Sequence, residues 1–420
     1  MRAWLRSLNP NLPRTVQTLQ LGGLISAFGN GVVLPFVLIY LHNVRGIGLG
    51  VAGLIVATNG AVSLVAGPVS GPLVDRIGGH RILAVALVVL AAGYGGLALV
   101  HEPWHGFVAA TVMGVGNGFF WPAQSTLLAA LSPRDKRHAT FAMQRVVMNL
   151  GIGLGALVGG VIATADRPGT FVAVFTIDAA SFLAYLVILW LFVPGAHPQA
   201  GDAAPAAGQR PGSYRDVLRH GAFMAVVGLN TLFIFAGMSG FELLPVYAKN
   251  ESGVSETAIG VIFFVNTVVI VLAQLPVTKL SEGHRRMRAL ALLGVLWAGC
   301  WVAVSLVGGS GVEGATAAVL LAVAMGAFGL GECVHGAVQA PLVADLAEPR
   351  LLGRYMALSA LSWQVGFALG PAVGGFLLER SPSGTWLVWA TLCCVGAGLA
   401  LVLERLLPLT ARRNPTAQPA

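Results

Sequence analysis

The sequence predicts an all-α polytopic membrane protein, with twelve transmembrane helices in two pseudo-symmetric six-helix bundles. Three observations lead there. Hydrophobic residues make up 56% of the 420 and charged residues only 10%, where a soluble domain carries about 25% charge. The apolar residues gather into long runs. The basic residues fall on alternate sides of those runs. Gly and Pro are abundant, at 55 and 22, but they sit inside apolar runs and not in a polar tract, so the chain does not read as disordered. Soluble globular, fibrous and disulfide-rich classes are excluded by this arithmetic.

A helical span takes about 20 apolar residues. The runs at 19–41, 48–70, 82–100, 107–131, 141–164, 170–193, 222–247, 258–277, 290–307, 315–343, 355–378 and 386–407 each reach that length or come close to it. They are too long and too uniform for strands, and an open sheet cannot satisfy its backbone in lipid. The first run lacks a small-residue cleavage site after it and is read as a retained helix. With the N-terminus inside, 20 of the 25 Lys and Arg lie in inside segments and four (Arg45, Arg167, Lys249 and Arg380) lie outside, with Arg145 within the fifth run. This bias places both termini in the cytoplasm. The net charge of +8 therefore reports topology, and its scatter over short loops excludes a nucleic-acid surface. Cys300, Cys333, Cys393 and Cys394 all lie in apolar runs without zinc-ligand spacing, so neither a metal nor a disulfide framework is expected.

The longest interruption, rich in Pro, Ala and Gly, follows the sixth run. It divides the chain into a half at 1–193, a linker at 194–220, a second half at 221–408 and a tail at 409–420. The halves echo one another. Asn59, Leu73 and Asp75 recur 207 residues later as Asn266, Leu280 and Glu282, and Gly116 and Gln124 recur 215 residues later as Gly331 and Gln339. At that second offset Gly151, Gly155, Gly159 and Gly160 become Gly366, Gly370, Gly374 and Gly375. A duplicated six-helix unit is the mark of a transporter built from two repeats.

Ionisable residues inside a bilayer are costly, so each is a functional candidate. Glu332 lies near the middle of the tenth run, with His335 and Gln339 three and seven residues on, which puts all three on one helical face. A carboxyl there can take up and release a proton, and His335 can tune or share it. The fourth run carries Asn117, Trp121 and Gln124 on the repeat-related face, with Phe119 beside them. Glu242, in the outer part of the seventh run, reads as a second proton site or a contact for cationic substrates. Asn230, Phe233 and Phe241 share one face of that run by spacing, and Asn30 in the first run and Trp363 in the eleventh add polar and aromatic lining. A mostly apolar pocket of this kind suits hydrophobic or amphipathic compounds. Asp178 in the sixth run reads as structural, Arg145 as reaching the inner interface, and Asp345 as a gate or loop residue. Glycine at every fourth position makes a groove for a neighbouring helix. No phosphate-binding G-x-x-x-x-G-K-[ST] loop occurs, so neither ATP nor any other cofactor is expected. Enzymatic signatures are likewise missing from the sequence.

The loop after the second run reads Gly71-Pro-Leu-Val-Asp75-Arg76-Ile-Gly78-Gly79-His80-Arg81. It resembles the cytoplasmic motif of the major facilitator superfamily, and with it the twelve runs, linker and duplicated halves resemble that family along the whole chain. The resemblance implies that helices one, four, seven and ten line a central cavity. It also implies that Asp75 meets the start of the eleventh helix, and that Gly71, Asp75, Arg76, Gly78 and Arg81 form a conformational gate in which Gly71 permits close helix approach. The stretch around Gly331-Glu332, and Gly370-Pro371 in a Gly-x-x-x-Gly-Pro-x-x-Gly-Gly setting, resemble bacterial drug and small-molecule exporters. Ala156 stands where the corresponding motif of the fifth helix has Pro. The resemblance to such exporters implies a monomer in a bacterial inner membrane, with a small-molecule substrate, protons and membrane lipids as partners, working by proton antiport. An exporter or facilitator of one metabolite, sugar or siderophore, and a lipid flippase, are the alternatives on the same scaffold. Asp75→Asn is expected to lower transport while leaving membrane insertion intact, as read by uptake assays normalised to the amount of protein in the membrane.

Overall fold

The computed structural model describes residues 12–133, 136–193, 214–348 and 351–414. Twelve long helices follow one another: α1 (Arg14–Val44), α2 (Leu49–Ile77), α3 (Gly79–Leu97), α4 (Pro103–Leu131), α5 (Arg137–Ile162), α6 (Gly169–Phe192), α7 (Gly221–Ser252), α8 (Glu256–Ser281), α9 (Arg286–Gly309), α10 (Gly314–Leu346), α11 (Leu352–Arg380) and α12 (Pro382–Leu403). Eleven of them are long and apolar enough to cross a membrane. The exception is α4, which at 29 residues has the length but carries His105, Thr111, Asn117, Gln124, Ser125 and Thr126. Residues 194–213 of the linker and 415–420 of the tail lie outside the described residues.

Close-packed contacts divide the chain into two units, Met1–Ile47 with Thr58–Ala204, and Gly48–Ala57 with Pro205–Ala420. Within the first, α1 packs on α5 and α6, and α3 on α4 and α6. Within the second, α7 packs on α11 and α12, and α9 on α10 and α12. Adding six to each helix number converts one scheme into the other. The first turns of α2 join the second unit because they pack on α11. There the Gly50 amide donates to Glu379 Oε2 at 3.1 Å, and a side chain at Gly53 would run into the carbonyl oxygen of Pro371.

Lipid tails are as apolar as leucine, so helices in a bilayer gain little from hiding leucine and associate by close van der Waals packing, which small residues permit. The four-residue glycine spacing shows where this happens. A β-carbon at Gly151 would meet Ala27, one at Gly155 the carbonyl of Phe28, and one at Gly159 the carbonyl of Val32, so α5 lies directly against the backbone of α1. In the second unit, Gly366 meets Ile234 and Gly370 meets Ser239 in the same way, fitting α11 to α7. Helix α7 is not regular. Ile234–Met238 is a π-helical turn, the wider turn that is common at functional sites.

The end of the second unit is fastened by its own tail. Arg286 is fully buried. Its Nη2 pairs with Asp345 Oδ2 at 2.6 Å, its Nε donates to Asn414 Oδ1 at 2.8 Å, and its Nη1 donates to the Ala411 carbonyl at 3.2 Å. The Gly283 amide donates to the Asn414 carbonyl and the Asn414 amide to the His284 carbonyl, at 3.0 and 3.1 Å. A buried guanidinium is tolerated only when paired and hydrogen-bonded, and here the α8–α9 loop, the end of α10 and the tail share that task.

Gly155→Ala is expected to destabilise the protein by about 1–3 kcal/mol, the range for overpacking. Gly169→Ala, where a β-carbon meets nothing within 4 Å, is expected to be near neutral. Thermal unfolding of both purified variants checks the contrast.

Candidate functional site

In the first unit, Asn59 of α2 faces α4, and Asn117 Nδ2 donates to Asn59 Oδ1 at 3.1 Å. In the second unit the positions 207 and 215 residues on are Asn266 and Glu332. They make the equivalent contact with the direction reversed: Asn266 Nδ2 donates to Glu332 Oε1 at 2.9 Å. A glycine makes room for each pair. A β-carbon at Gly114 would sit 2.7 Å from the Asn59 carbonyl oxygen, and one at Gly329 would sit 3.0 Å from Asn266 Nδ2. One repeat thus holds a neutral amide pair, and the other an amide against a half-buried carboxylate.

His335 is buried, one turn beyond Glu332. Its Nε2 lies 2.7 Å from Asn230 Oδ1 on α7, and Asn230 Nδ2 donates to Ser362 Oγ on α11 at 2.6 Å. With the amide oxygen as acceptor, the imidazole donates from Nε2. The ring lies between Trp297, stacked at 6.3 Å, and Trp363, edge-on at 5.3 Å. Glu332 and His335 therefore bond to different neighbours, α8 and α7, although they lie on one broad face of α10. Gln339, the third residue of that face, is buried, and its Nε2 has no hydrogen-bond partner among the described residues. Its repeat mate Gln124 is fully engaged: Nε2 donates to the Tyr185 hydroxyl at 3.1 Å, and Oε1 accepts from Gln144 at 2.8 Å.

The even face expected along α7 is interrupted. Phe233 is buried beside Trp297, between Gly294 and Gly396, in the interior of its unit. Beyond the π-helical turn, Phe241 is half-buried and leans on Phe263 of α8 at 4.2 Å and Phe328 of α10 at 6.0 Å. The wide turn adds residues to the helix, so counting at 3.6 per turn from Asn230 to Phe241 fails across it. Glu242 follows Phe241, and its Oε2 is buried without a hydrogen-bond partner among the described residues.

Asn30 donates from Nδ2 to the Tyr94 hydroxyl on α3 at 2.7 Å, and Trp121 is 43% exposed. Of the gate motif, Gly78 starts α3 with φ +94°, a value that favours glycine, and Arg76 and Arg81 are exposed. At Gly71 a β-carbon would meet nothing within 4 Å among the described residues, whereas one at Gly118 would meet Ala66 and Gly67. The side chain of Asp75 lies outside the described residues. Arg145 is exposed, and Asp345 is the partner of Arg286. Asp178 is buried against Gly29 of α1, and Ser181 Oγ donates to its backbone carbonyl at 2.7 Å. In the sequence Asn266 and Asn59 stand out only as repeat markers. The signal for their role lies in the two offsets, which carry Asn59 and Asn117 onto Asn266 and Glu332 together.

The family model of the Major Facilitator Superfamily matches residues 19–312 and 242–420. The chain is 26% identical over 390 residues to the multidrug resistance protein MdtH of Cronobacter sakazakii, covering 92% of each. It is 25% identical over 373 residues to an uncharacterized MFS-type transporter, YttB, of Bacillus subtilis, covering 88% of this chain and 89% of that one. A crystal structure of a POT family transporter in complex with 5-aminolevulinic acid superposes with a TM-score of 0.75 at 16% identity, over 93% of this chain and 96% of that one.

Replacing Asn230 by Leu removes the acceptor of His335 and the donor to Ser362 together. An unsatisfied buried group costs about 1–3 kcal/mol, so Asn230→Leu is expected to lower the melting temperature of the purified protein clearly, and Asn230→Gln by less.

Proposed function

The chain belongs to the Major Facilitator Superfamily, and we propose that it exports hydrophobic or amphipathic small molecules in exchange for protons, by alternating access. The observation that carries this reading is the pair Asn266–Glu332. The second copy of the contact has a carboxyl, which accepts, where the first has the amide of Asn117, which donates. A carboxyl at mid-helix in lipid is expensive, and duplication had supplied a neutral solution at the equivalent place. Its presence is accounted for by a proton that it takes up and releases.

The remaining polar groups divide the work. His335, locked between Asn230 and two tryptophans, fixes the polar end of α10 and α7. Gln339 Nε2 and Glu242 Oε2, both buried and unpartnered among the described residues, are the anchors offered to a substrate, with Phe241 giving apolar contact. Coupling is assigned to protons on the ground that the group distinguishing the second repeat is a single carboxyl. Few basic groups accompany these anchors, which favours neutral or cationic compounds over phosphates and dicarboxylates. The relatives named as multidrug resistance proteins support export of varied compounds over transport of one metabolite. The cytoplasmic membrane with both termini inside is the location this reading takes from the loop arginines.

Coupling requires that proton and substrate each favour one state over the other. In proteoliposomes with an imposed pH gradient and a panel of lipophilic cations, neutral drugs and sugars, gradient-driven movement of at least one lipophilic compound is expected. Glu332→Gln is expected to reduce that movement to the level of protein-free vesicles while substrate still binds and exchanges downhill. Gradient-driven transport at the unaltered rate in this variant would overturn the assignment.

A further inference from the structure

At the end of the second unit where α9 begins and α12 finishes, six residues line an open basin of about 300 Å³: Arg285, Arg288, Leu401, Glu404, Arg405 and Arg412. Four guanidiniums face one carboxylate. Glu404 is nearly buried and holds two of them, Arg285 at 2.8 Å and Arg288 at 3.8 Å. Arg412 is held by backbone carbonyls, donating from Nε to Leu407 and from Nη2 to Arg405 at 2.9 and 3.2 Å. Arg405 has no side-chain partner among the described residues. Each guanidinium has five N–H donors, so most of the donors in the basin are unspent, and the charge left over is strongly positive.

Such a cluster would repel itself without an anion. The surroundings identify the kind. Arg288, Leu292 and Val295 succeed one another along one face of α9 at spacings of four and three, and Leu292 and Val295 are 66% and 58% exposed. Across the basin Leu401, Leu406 and Leu409 are exposed as well. Aliphatic walls run down from a ring of arginines. A free phosphate would use the arginines and leave the walls idle, whereas a phospholipid uses both. The basin also lies at the loop end that carries most of the basic residues, which the charge bias assigns to the cytoplasmic leaflet, where anionic lipids attract arginine.

We propose that this basin holds the phosphodiester headgroup of one anionic phospholipid, with its acyl chains along the exposed faces of α9 and α12. Arginine forks match phosphate oxygens in pairs, and Glu404 keeps the guanidiniums apart and oriented when the lipid is away. The bound headgroup would tie the start of α9 to the tail that Arg286 anchors, so the lipid acts on the stability of the second unit whatever the substrate.

The test uses the purified full-length protein and reads lipid binding, not transport. Phosphatidylglycerol, phosphatidylcholine and inorganic phosphate are titrated separately, with retained lipid measured by native mass spectrometry and stabilisation by thermal unfolding. Phosphatidylglycerol is expected to bind and to raise the melting temperature, and the other two are not. Arg288→Gln with Arg405→Gln is expected to weaken phosphatidylglycerol binding by roughly 30-fold, the loss of two interfacial arginines. The paired lysine variant, which keeps the charge, is expected to retain most of the affinity, separating loss of charge from misfolding, and Arg167→Gln in the other unit should bind as the native chain does. Equal binding of phosphatidylcholine, full stabilisation by inorganic phosphate alone, or unchanged binding in the glutamine pair would each overturn the proposal.

Discussion

Close backbone contact between helices is the constraint on which the rest of this structure depends. Water drives soluble helices together, but lipid does not, so the α1–α5 pair holds through glycines set against carbonyl groups and the α7–α11 pair through glycines set against side chains of α7. The same economy of volume places the chemistry. Gly114 and Gly329 open the space in which Asn59 and Asn266 turn toward α4 and α10. A larger residue at Gly329 would displace the amide that bonds Glu332. Packing and site are thus one arrangement, and a change made for one is felt by the other.

Duplication followed by divergence accounts for how the polar groups are distributed. The contact scheme of helices one to six is repeated in seven to twelve, yet the halves spend their polar residues differently. In the first, Gln124 closes a network with Tyr185 and Gln144. Its mate Gln339 keeps a donor without a partner among the described residues. The first unit is internally satisfied at these positions, and the second retains unspent hydrogen-bonding capacity beside a carboxyl and an imidazole. That asymmetry fits the proposal that the second half carries the coupling groups.

Much of the fold is legible in the sequence, for a physical reason. Helical spans announce themselves by length and apolarity, and a repeat by fixed offsets, so the number, order and duplication of the helices can be read from the chain, while their pairing emerges only in the structure. Even α4, the least apolar, reads as a span because its few polar residues interrupt a long apolar run only briefly. The site is legible in part. Glu332 stands out by the cost of burying it, but its partner Asn266 is an ordinary amide that only the contact reveals. Periodicity misplaces the face of α7 because it assumes a constant turn, and the wide turn at Ile234–Met238 has no marked sequence signal. The fastening of Arg286 by Asn414 and Ala411 is invisible in the sequence, since contacts between a tail and a loop some 128 residues away leave no pattern in either segment.

The aromatic residues add an optical consequence. Trp297, Trp301, Trp386 and Trp389 are all sealed inside the second unit, while Trp104, Trp121 and Trp190 of the first are 61%, 43% and 66% exposed. Indole emission from this molecule is accordingly split by origin. Quenchers dissolved among acyl chains or in water reach Trp104, Trp121 and Trp190 and spare the four sealed indoles, with the half-buried Trp363 between the two groups. Trp297, one of the protected four, stacks on both Phe328 and the imidazole of His335, which gives the native chain a fluorophore beside that histidine without any label.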